Sequence, residues 1–412
     1  MLTRNMIALI DIGSAETKVL FARFTPAVEI VGAFTAPTEG MVKGEITDIR
    51  RLKESVHDAL NGAEKRADLK LPLRFACLSL SGPELSGTQV KGLTSVKSEN
   101  RTVAAADVED ARADAWARRV AEGRTIVHRI RQNFTLDARP MRNPEGAVGA
   151  ELACNLWVVE AGTTYLTELI QIPNQYGMRV EEIFVASLAA AAGVATGSEA
   201  DKNRLVIDIG AGTTDYILYR DGMVVMSGVV PVGGRHLTND ISEALQISEK
   251  NAEWTKLHVA RAKFSDADLD AEFTLPGTEI SGELAGFASH YSVFKVKFVT
   301  HLRVREIFEL VRRKIGEDTD VGSVRLTGGT SLLPEIADVA GQVFDAEVFL
   351  AAPEFAYARR EETLNAERDG VHPKFSVVVG MAELFRRARE EALRRAAEQS
   401  FWTRLRRALF SH

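Results

Sequence analysis

The stretches DIGSAETK, Asp11 to Lys18, and DIGAGTTD, Asp208 to Asp215, decide how this chain is read. Each follows a run of β-branched and aliphatic residues, and each begins Asp-Ile-Gly. Glycine and small hydroxylated residues let backbone N–H groups come close to an anion and form a nest for it. An Asp at the end of the strand cannot hold phosphate itself, because like charges repel. It is useful there if a hydrated Mg²⁺ stands between carboxylate and phosphate, since Mg²⁺ keeps several waters and takes few protein carboxylates. Lys18 adds a point positive charge for the same phosphates. One such loop is an ordinary hairpin turn. Two on equivalent strands, roughly 200 residues apart, indicate a duplicated nucleotide-binding half.

Outward from these loops, Ile7 to Ile12 reads as a buried strand and Lys18 to Phe24 as its hairpin partner. Ile49 to Ala67 is expected to be helical, with Leu52, Val56, Ala59, Leu60 and Ala63 on one apolar face. Leu73 to Leu80 reads as a strand again. After Leu205 the order recurs: LVIDIG, YILYR, MVVMSGVVPV, then the helix HLTNDISEAL. Two more glycine elements follow. In VPVGGRHLTNDI, residues 230–241, Gly233-Gly234 leads into a helix, a placement suited to an anion at a helix N-terminus. In VRLTGGTSLLPEI, residues 324–336, Gly328-Gly329 follows a strand and is expected to open a helix capped by Thr330 or Ser331. Four glycine turns after four strands predict two half-domains clamping one nucleotide in the cleft between them.

Residues 84–160 are richer in charge and read as an inserted subdomain, with the helix AADVEDARADAWARRVAE and strands around Phe134 and Trp157. Residues 246–315 form a second, mostly helical insert ending in HLRVREIFELVRRKI. A charged helix, Glu383 to Glu398, precedes the terminal segment SFWTRLRRALFSH. The whole chain has 412 residues and a net charge of −6, which argues against a nucleic-acid binder with a basic face. Only Cys77 and Cys154 occur, far apart, so neither a disulfide framework nor a thiolate zinc site is expected. The apolar run Met6 to Ile10 is too short for a signal-peptide core, and nothing approaches the ~20 apolar residues of a membrane span. A cytoplasmic location is expected.

The order DIG…K, DIGAGTTD, VGG, TGG is similar to that of the actin, sugar-kinase and DnaK-chaperone superfamily. Within it the chain resembles the FtsA family of bacterial cell-division proteins, from about Ile7 to its last residues. GMVKGEITD at 40–48, AEWTK at 252–256 and RVREIFELV at 303–311 fit the same family. The resemblance implies an α/β, actin-like fold: two duplicated halves around a nucleotide cleft, a subdomain inserted in the first half, and a C-terminal amphipathic helix. The first half then spans 1–83 and 161–200 around the insert 84–160. The second spans 201–245 and 316–385 around the insert 246–315, and 386–412 holds the charged and membrane-targeting helices. Asp11 and Asp208 are expected to face a hydrated Mg²⁺. Gly13, Ser14, Lys18, Gly210, Gly212, Thr213 and Thr214 are expected to cradle the phosphates of ATP. Gly233, Gly234, Glu253, Lys256, Gly328 and Gly329 are expected to line the nucleoside side. The implied role is a polymerising protein that anchors filaments of the tubulin-like FtsZ to the inner face of the cell membrane at the division site. Its implied partners are the FtsZ C-terminal tail on 246–315, other copies of itself and other division proteins. The amphipathic helix Leu302 to Ile315, with Arg303, Arg305, Arg312 and Arg313, offers a basic, apolar surface for that acidic tail.

In hydrolytic relatives a Glu or Gln near the end of the first half positions the attacking water. Here that stretch is FVASLAAAAG, and Val185 and Ala186 offer no base, so ATP hydrolysis is expected to be slow or absent. On a helical wheel Phe401, Trp402, Leu405, Ala408 and Leu409 share one arc, Thr403, Arg404, Arg406, Arg407 and Ser411 fill the rest, and Phe410 is the exception. That is the pattern of a helix lying in an anionic membrane interface. Two alternatives remain: a small-molecule kinase of the same superfamily, for which no catalytic carboxylate can be placed, and a type IV pilus assembly scaffold, which does not call for this terminal helix.

Overall fold

The computed structural model describes residues 5–25, 28–67, 73–197, 203–276, 290–353 and 372–410, with side chains through residue 394. Strands β1 (Met6–Ile12), β2 (Glu16–Phe24) and β3 (Val28–Pro37) form an antiparallel meander. β3 completes a hairpin that the sequence reading had stopped at Phe24. Helix α1 (Ile49–Ala67) packs on it through the predicted face, with Leu52, Val56, Ala59, Leu60 and Ala63 all buried. β4 (Phe75–Leu80) then pairs parallel with β1. From Ile7 to Ile10 β1 is wholly buried, because helices cover both faces of its sheet and every side chain must be apolar.

The inserted subdomain comprises β5 (Leu85–Ser95), α2 (Ala105–Ala117), β6 (Arg124–Arg131), β7 (Phe134–Leu136), β8 (Arg139–Met141) and β9 (Glu151–Gly162). Its sheet runs β8-β7-β9-β5, with β6 also paired to β9, and α2 covers one face. The chain returns to the first half through α3 (Thr163–Asn174), β10 (Arg179–Val185) and α4 (Ala186–Gly193).

The second half repeats the first. β11 (Arg204–Ile209), β12 (Thr214–Arg220) and β13 (Met223–Val230) form the meander. Next come α5 (Gly234–Leu245), α6 (Glu249–His258) and α7 (Val293–Ile315), then β14 (Ser323–Thr327), α8 (Ile336–Phe344) and β15 (Glu347–Leu350). The sheet orders are β10-β4-β1-β2-β3 and β13-β12-β11-β14-β15, one topology used twice. α7 begins at Val293, nine residues before the stretch read as amphipathic.

α9 (Ser376–Phe410) is one continuous helix. It differs from the expected pair of segments because its first turns, Val377 to Phe385, are apolar and pack with α4 on the first half's sheet. The structure describes the backbone of 401–410 as helical, while the side chains of Phe401, Trp402, Arg404, Leu405, Arg406, Arg407 and Leu409 lie outside the described residues. A further apolar cluster joins all three parts: Trp157 and Val159 of the insert, Val185 and Ala191 of the first half, Val206, Ile217 and Val224 of the second. There Trp157 Nε1 donates to Ser227 Oγ at 2.9 Å, and Gln132 Nε2 to the Val224 carbonyl at 2.8 Å. Cys77 and Cys154 are both buried thiols, one in β4 and one in β9.

Candidate functional site

The two Asp-Ile-Gly turns meet across a cleft of about 690 Å³. Each turn is closed in the same way: Gly13 N donates to the Glu16 carbonyl and Gly210 N to the Thr213 carbonyl. The cleft brings together Asp11, Gly13, Ser14, Lys18, Asp208, Gly210, Gly212, Thr213, Glu253, Lys256, Gly328 and Gly329. Lys18 stands opposite Asp11 in the β1–β2 register, and its Nζ donates to Asp11 Oδ2 at 3.0 Å. Ser79 Oγ donates to the other Asp11 oxygen at 2.6 Å. Burial opposes the Lys18 charge, but Asp11, Glu16 and Asp208 more than offset it and hold the ammonium above the ordinary lysine range.

The second copy has Asp215 where the first has Lys18, so two carboxylates, Asp208 and Asp215, face each other in the β11–β12 register. Burial, then the nearby Asp11, push Asp208 up to about 7. Burial and Asp208 push Asp215 well above the carboxylate range. Ser81 Oγ donates to Asp215 Oδ2 at 2.7 Å, and Asp215 Oδ1 is buried with no partner among the described residues. A buried like-charge pair of this kind favours either a proton or a bound cation.

On the far side of the cleft, Lys256 Nζ donates to Glu253 Oε2 at 2.7 Å and to Thr238 Oγ1 at 2.9 Å. Gly328 has φ +87, and a Cβ there would stand 2.2 Å from Asp208 Oδ1, so only glycine fits. Gly329 opens a short 3₁₀ turn rather than the expected α-helix. Thr330 and Ser331 do not cap it, because their hydroxyls donate to the carbonyls of Gly210 and Gly328. Two other expectations change. Thr214 is fully buried and donates to the Val232 carbonyl at 2.8 Å, so it secures the hairpin instead of facing the cleft. Gly233 and Gly234 also lie behind the lining: the Gly234 and Arg235 amides donate to the Gly210 and Ala211 carbonyls, so this helix start holds the second loop in place.

A family model described as "Cell division protein FtsA" matches residues 205–380, and a second, "SHS2 domain inserted in FTSA", matches residues 82–160. The chain is 28% identical to the cell division protein FtsA of Borreliella burgdorferi over 92% of this chain and 91% of that one. It is 28% identical to FtsA of Bacillus subtilis over 85% of this chain and 79% of that one. This chain belongs to the FtsA family. Among solved structures it is similar to a PilM-PilN type IV pilus biogenesis complex, with TM-score 0.62, 15% identity and coverage of 91% and 97%. It is also similar to MreB 5 of Spiroplasma citri bound to AMPPNP, with TM-score 0.54, 15% identity and coverage of 96% and 99%. At those identities the likeness concerns the fold, which is actin-like and carries the subdomain inserted in FtsA proteins. The protein is an actin-like cell-division protein.

The cleft also brings in Asp215, Ser81 and Lys374, which the sequence reading did not single out, and Ser79 supports Asp11 from behind the lining. Asp215 was detectable. Side chains alternate along a strand, so Thr213 and Asp215 had to share a face and Thr214 the opposite one. The two serines carry no local signal, since β4 reaches the site only through its parallel pairing with β1.

Proposed function

We propose that this FtsA family protein binds ATP with Mg²⁺ in the cleft, assembles with copies of itself, and tethers filaments of the tubulin-like division protein to the membrane through its C-terminal helix. The Asp208–Asp215 pair carries the nucleotide reading. It is a buried site of excess negative charge beside two backbone nests, which repels a bare triphosphate and attracts one that brings a divalent cation. Among the described residues no three ligating side chains converge, so the ion would reach Asp11 and Asp208 through its own waters. Lys18 and the amides of the two loops would hold the phosphates. The region of Glu253, Lys256 and Gly329 would hold the nucleoside. An MreB of the same fold is solved bound to AMPPNP, which supports nucleotide binding by likeness of fold.

For the partner tail, the apolar face of α7 is a better dock than the basic one. Phe264 packs edge-on against Phe294 and Phe298 at 5.5 and 5.3 Å, and Phe298 and Leu302 stay exposed. The arginines are engaged elsewhere: Arg303 with Asp240 and Glu306, Arg305 with Glu309, Arg312 with the Thr319 carbonyl, and Arg313 with the Glu309 carbonyl.

Calorimetry on the full chain tests the central claim. ATP should bind more tightly with Mg²⁺ than with a chelator, and Asp208→Ala should erase that difference. Equal affinity in both conditions for the unaltered protein would overturn the reading.

A further inference from the structure

Tyr165 lies at the start of α3, directly after the inserted subdomain, and its ring is buried. Its hydroxyl oxygen stands within hydrogen-bond distance of two backbone carbonyls, Gly44 at 2.8 Å and Ser81 at 2.9 Å, and its single proton is shared between these two acceptors. Those residues belong to two different loops, which touch because both are glycine-bearing. Gly44 and Gly82 have φ of +79 and +124, and a Cβ on Gly44 would stand 2.6 Å from Gly82 Cα. Each loop then reaches one nucleotide motif. Gly44 N donates to Ser14 Oγ at 3.1 Å, in the first Asp-Ile-Gly turn. Ser81 Oγ donates to Asp215 Oδ2 at 2.7 Å, in the second. One phenol therefore ties together the strap that crosses the first phosphate loop and the serine that holds the buried carboxylate of the second.

We infer that Tyr165 is a positioning residue for the phosphate side of the cleft: its hydroxyl sets the spacing of the two halves' phosphate loops without touching the ligand. The inference rests on the cleft being the nucleotide site. Burial, reinforced by Asp215, Glu84 and Glu45, raises the phenol above its ordinary range, so it stays a donor at every working pH. Tyr165 also lines a second cavity of about 450 Å³ with Glu45, Glu84 and Thr163, on the side of the inserted subdomain. The two residues whose carbonyls it bonds, Gly44 and Ser81, line the cleft itself.

The test is Tyr165→Phe in the full chain, which keeps the ring and removes the hydroxyl. Three readouts are taken: affinity for ATP with Mg²⁺, affinity for adenosine, and amide exchange of the peptide spanning residues 38–48. The expected result is roughly tenfold weaker ATP binding, adenosine binding unchanged, and faster exchange at 38–48. A merely structural loss would weaken both ligands together and overturn the inference, as would ATP affinity equal to the parent's. If the parent itself binds no ATP, the nucleotide reading fails on its own, and exchange decides the tyrosine: unchanged protection at 38–48 in Tyr165→Phe overturns the positioning role.

Discussion

Lys18 and Asp215 hold the same place in two copies of one hairpin, and the difference between them sets the electrostatics of the cleft. In the first copy the strand-end Asp is neutralised within the protein; in the second it is opposed by another carboxylate. Gly329 offers the cleanest probe of what the cleft holds. A Cβ there meets nothing closer than Lys374 Cβ at 4.0 Å, so its side chain would grow into open space. Gly329→Val should lower ATP affinity at least tenfold and leave the thermal midpoint unchanged, as read by calorimetry and melting. The adjacent Gly328→Ala should instead cost about 1–3 kcal/mol of stability, since it combines positive φ with a clash against Asp208. Asp11, Asp208, Lys18 and the glycines of the two turns and of Gly328-Gly329 were legible because charge and conformational freedom are properties of the residue itself, whereas Gly233 and Gly234 lie behind the lining. Thr214 was misread and the two serines were missed because a hydroxyl's role depends on which way it points and what the fold brings beside it.

Among the elements, α7 shows how far an amphipathic pattern reaches. Its periodicity located the helix, and the contrast between its faces suggested an open basic surface, of which Arg303 and Arg305 are paired with acidic neighbours while Arg312 and Arg313 donate only to neutral carbonyls. The apolar stripe of Phe294 and Phe298 begins upstream of the stretch first recognised, where the third aromatic, Phe264, arrives from a distant loop. Phe298→Ser should weaken binding of the partner's C-terminal peptide by tenfold or more, measured by fluorescence anisotropy. Charge reversal at Arg312 and Arg313 should change it by less than threefold.

The junction of β6 with β10 carries a pH dependence. His128 Nε2 accepts from the Val185 amide at 3.3 Å, its ring lies near Phe184, and burial lowers its pKa to about 4. Between pH 6.5 and 4 the unfolded chain binds this proton and the folded one does not. The junction's stability is therefore complete above pH 6.5 and is lost as pH falls toward 4, by up to about 3 kcal/mol. His128→Gln, which keeps an acceptor and cannot charge, should flatten that part of the stability–pH curve in urea titrations.

For the molecule as a whole, the continuity of α9 fixes how a membrane attachment would work. The helix is rooted in the first half's core through Val378, Met381 and Phe385 and runs unbroken to Phe410. The end of that helix supplies a few aromatic and leucine side chains and arginines worth about 1 kcal/mol each near an anionic leaflet. On the proposed attachment, one copy would hold only weakly, and many copies on one filament would make it firm. Trp402→Glu should release the protein from anionic vesicles in a sedimentation assay while ATP affinity stays intact, and raised salt should weaken attachment of the parent.

The duplicated sheets were readable from two octapeptides, whereas the three-way junction behind the cleft, built from Trp157, Val185 and Val206, was not. Each of those residues looks like ordinary core where it stands in the chain, and only the closed structure joins them.

The two cysteines have a consequence at this same scale. Cys77 sits in the first half's sheet and Cys154 in the inserted subdomain, and burial holds both thiols in their unreactive protonated form. The native surface is therefore silent to thiol reagents among the described residues. Each cysteine becomes labelled only when its own module opens, so timed alkylation followed by peptide mapping gives the subdomain and the half that carries it separate clocks.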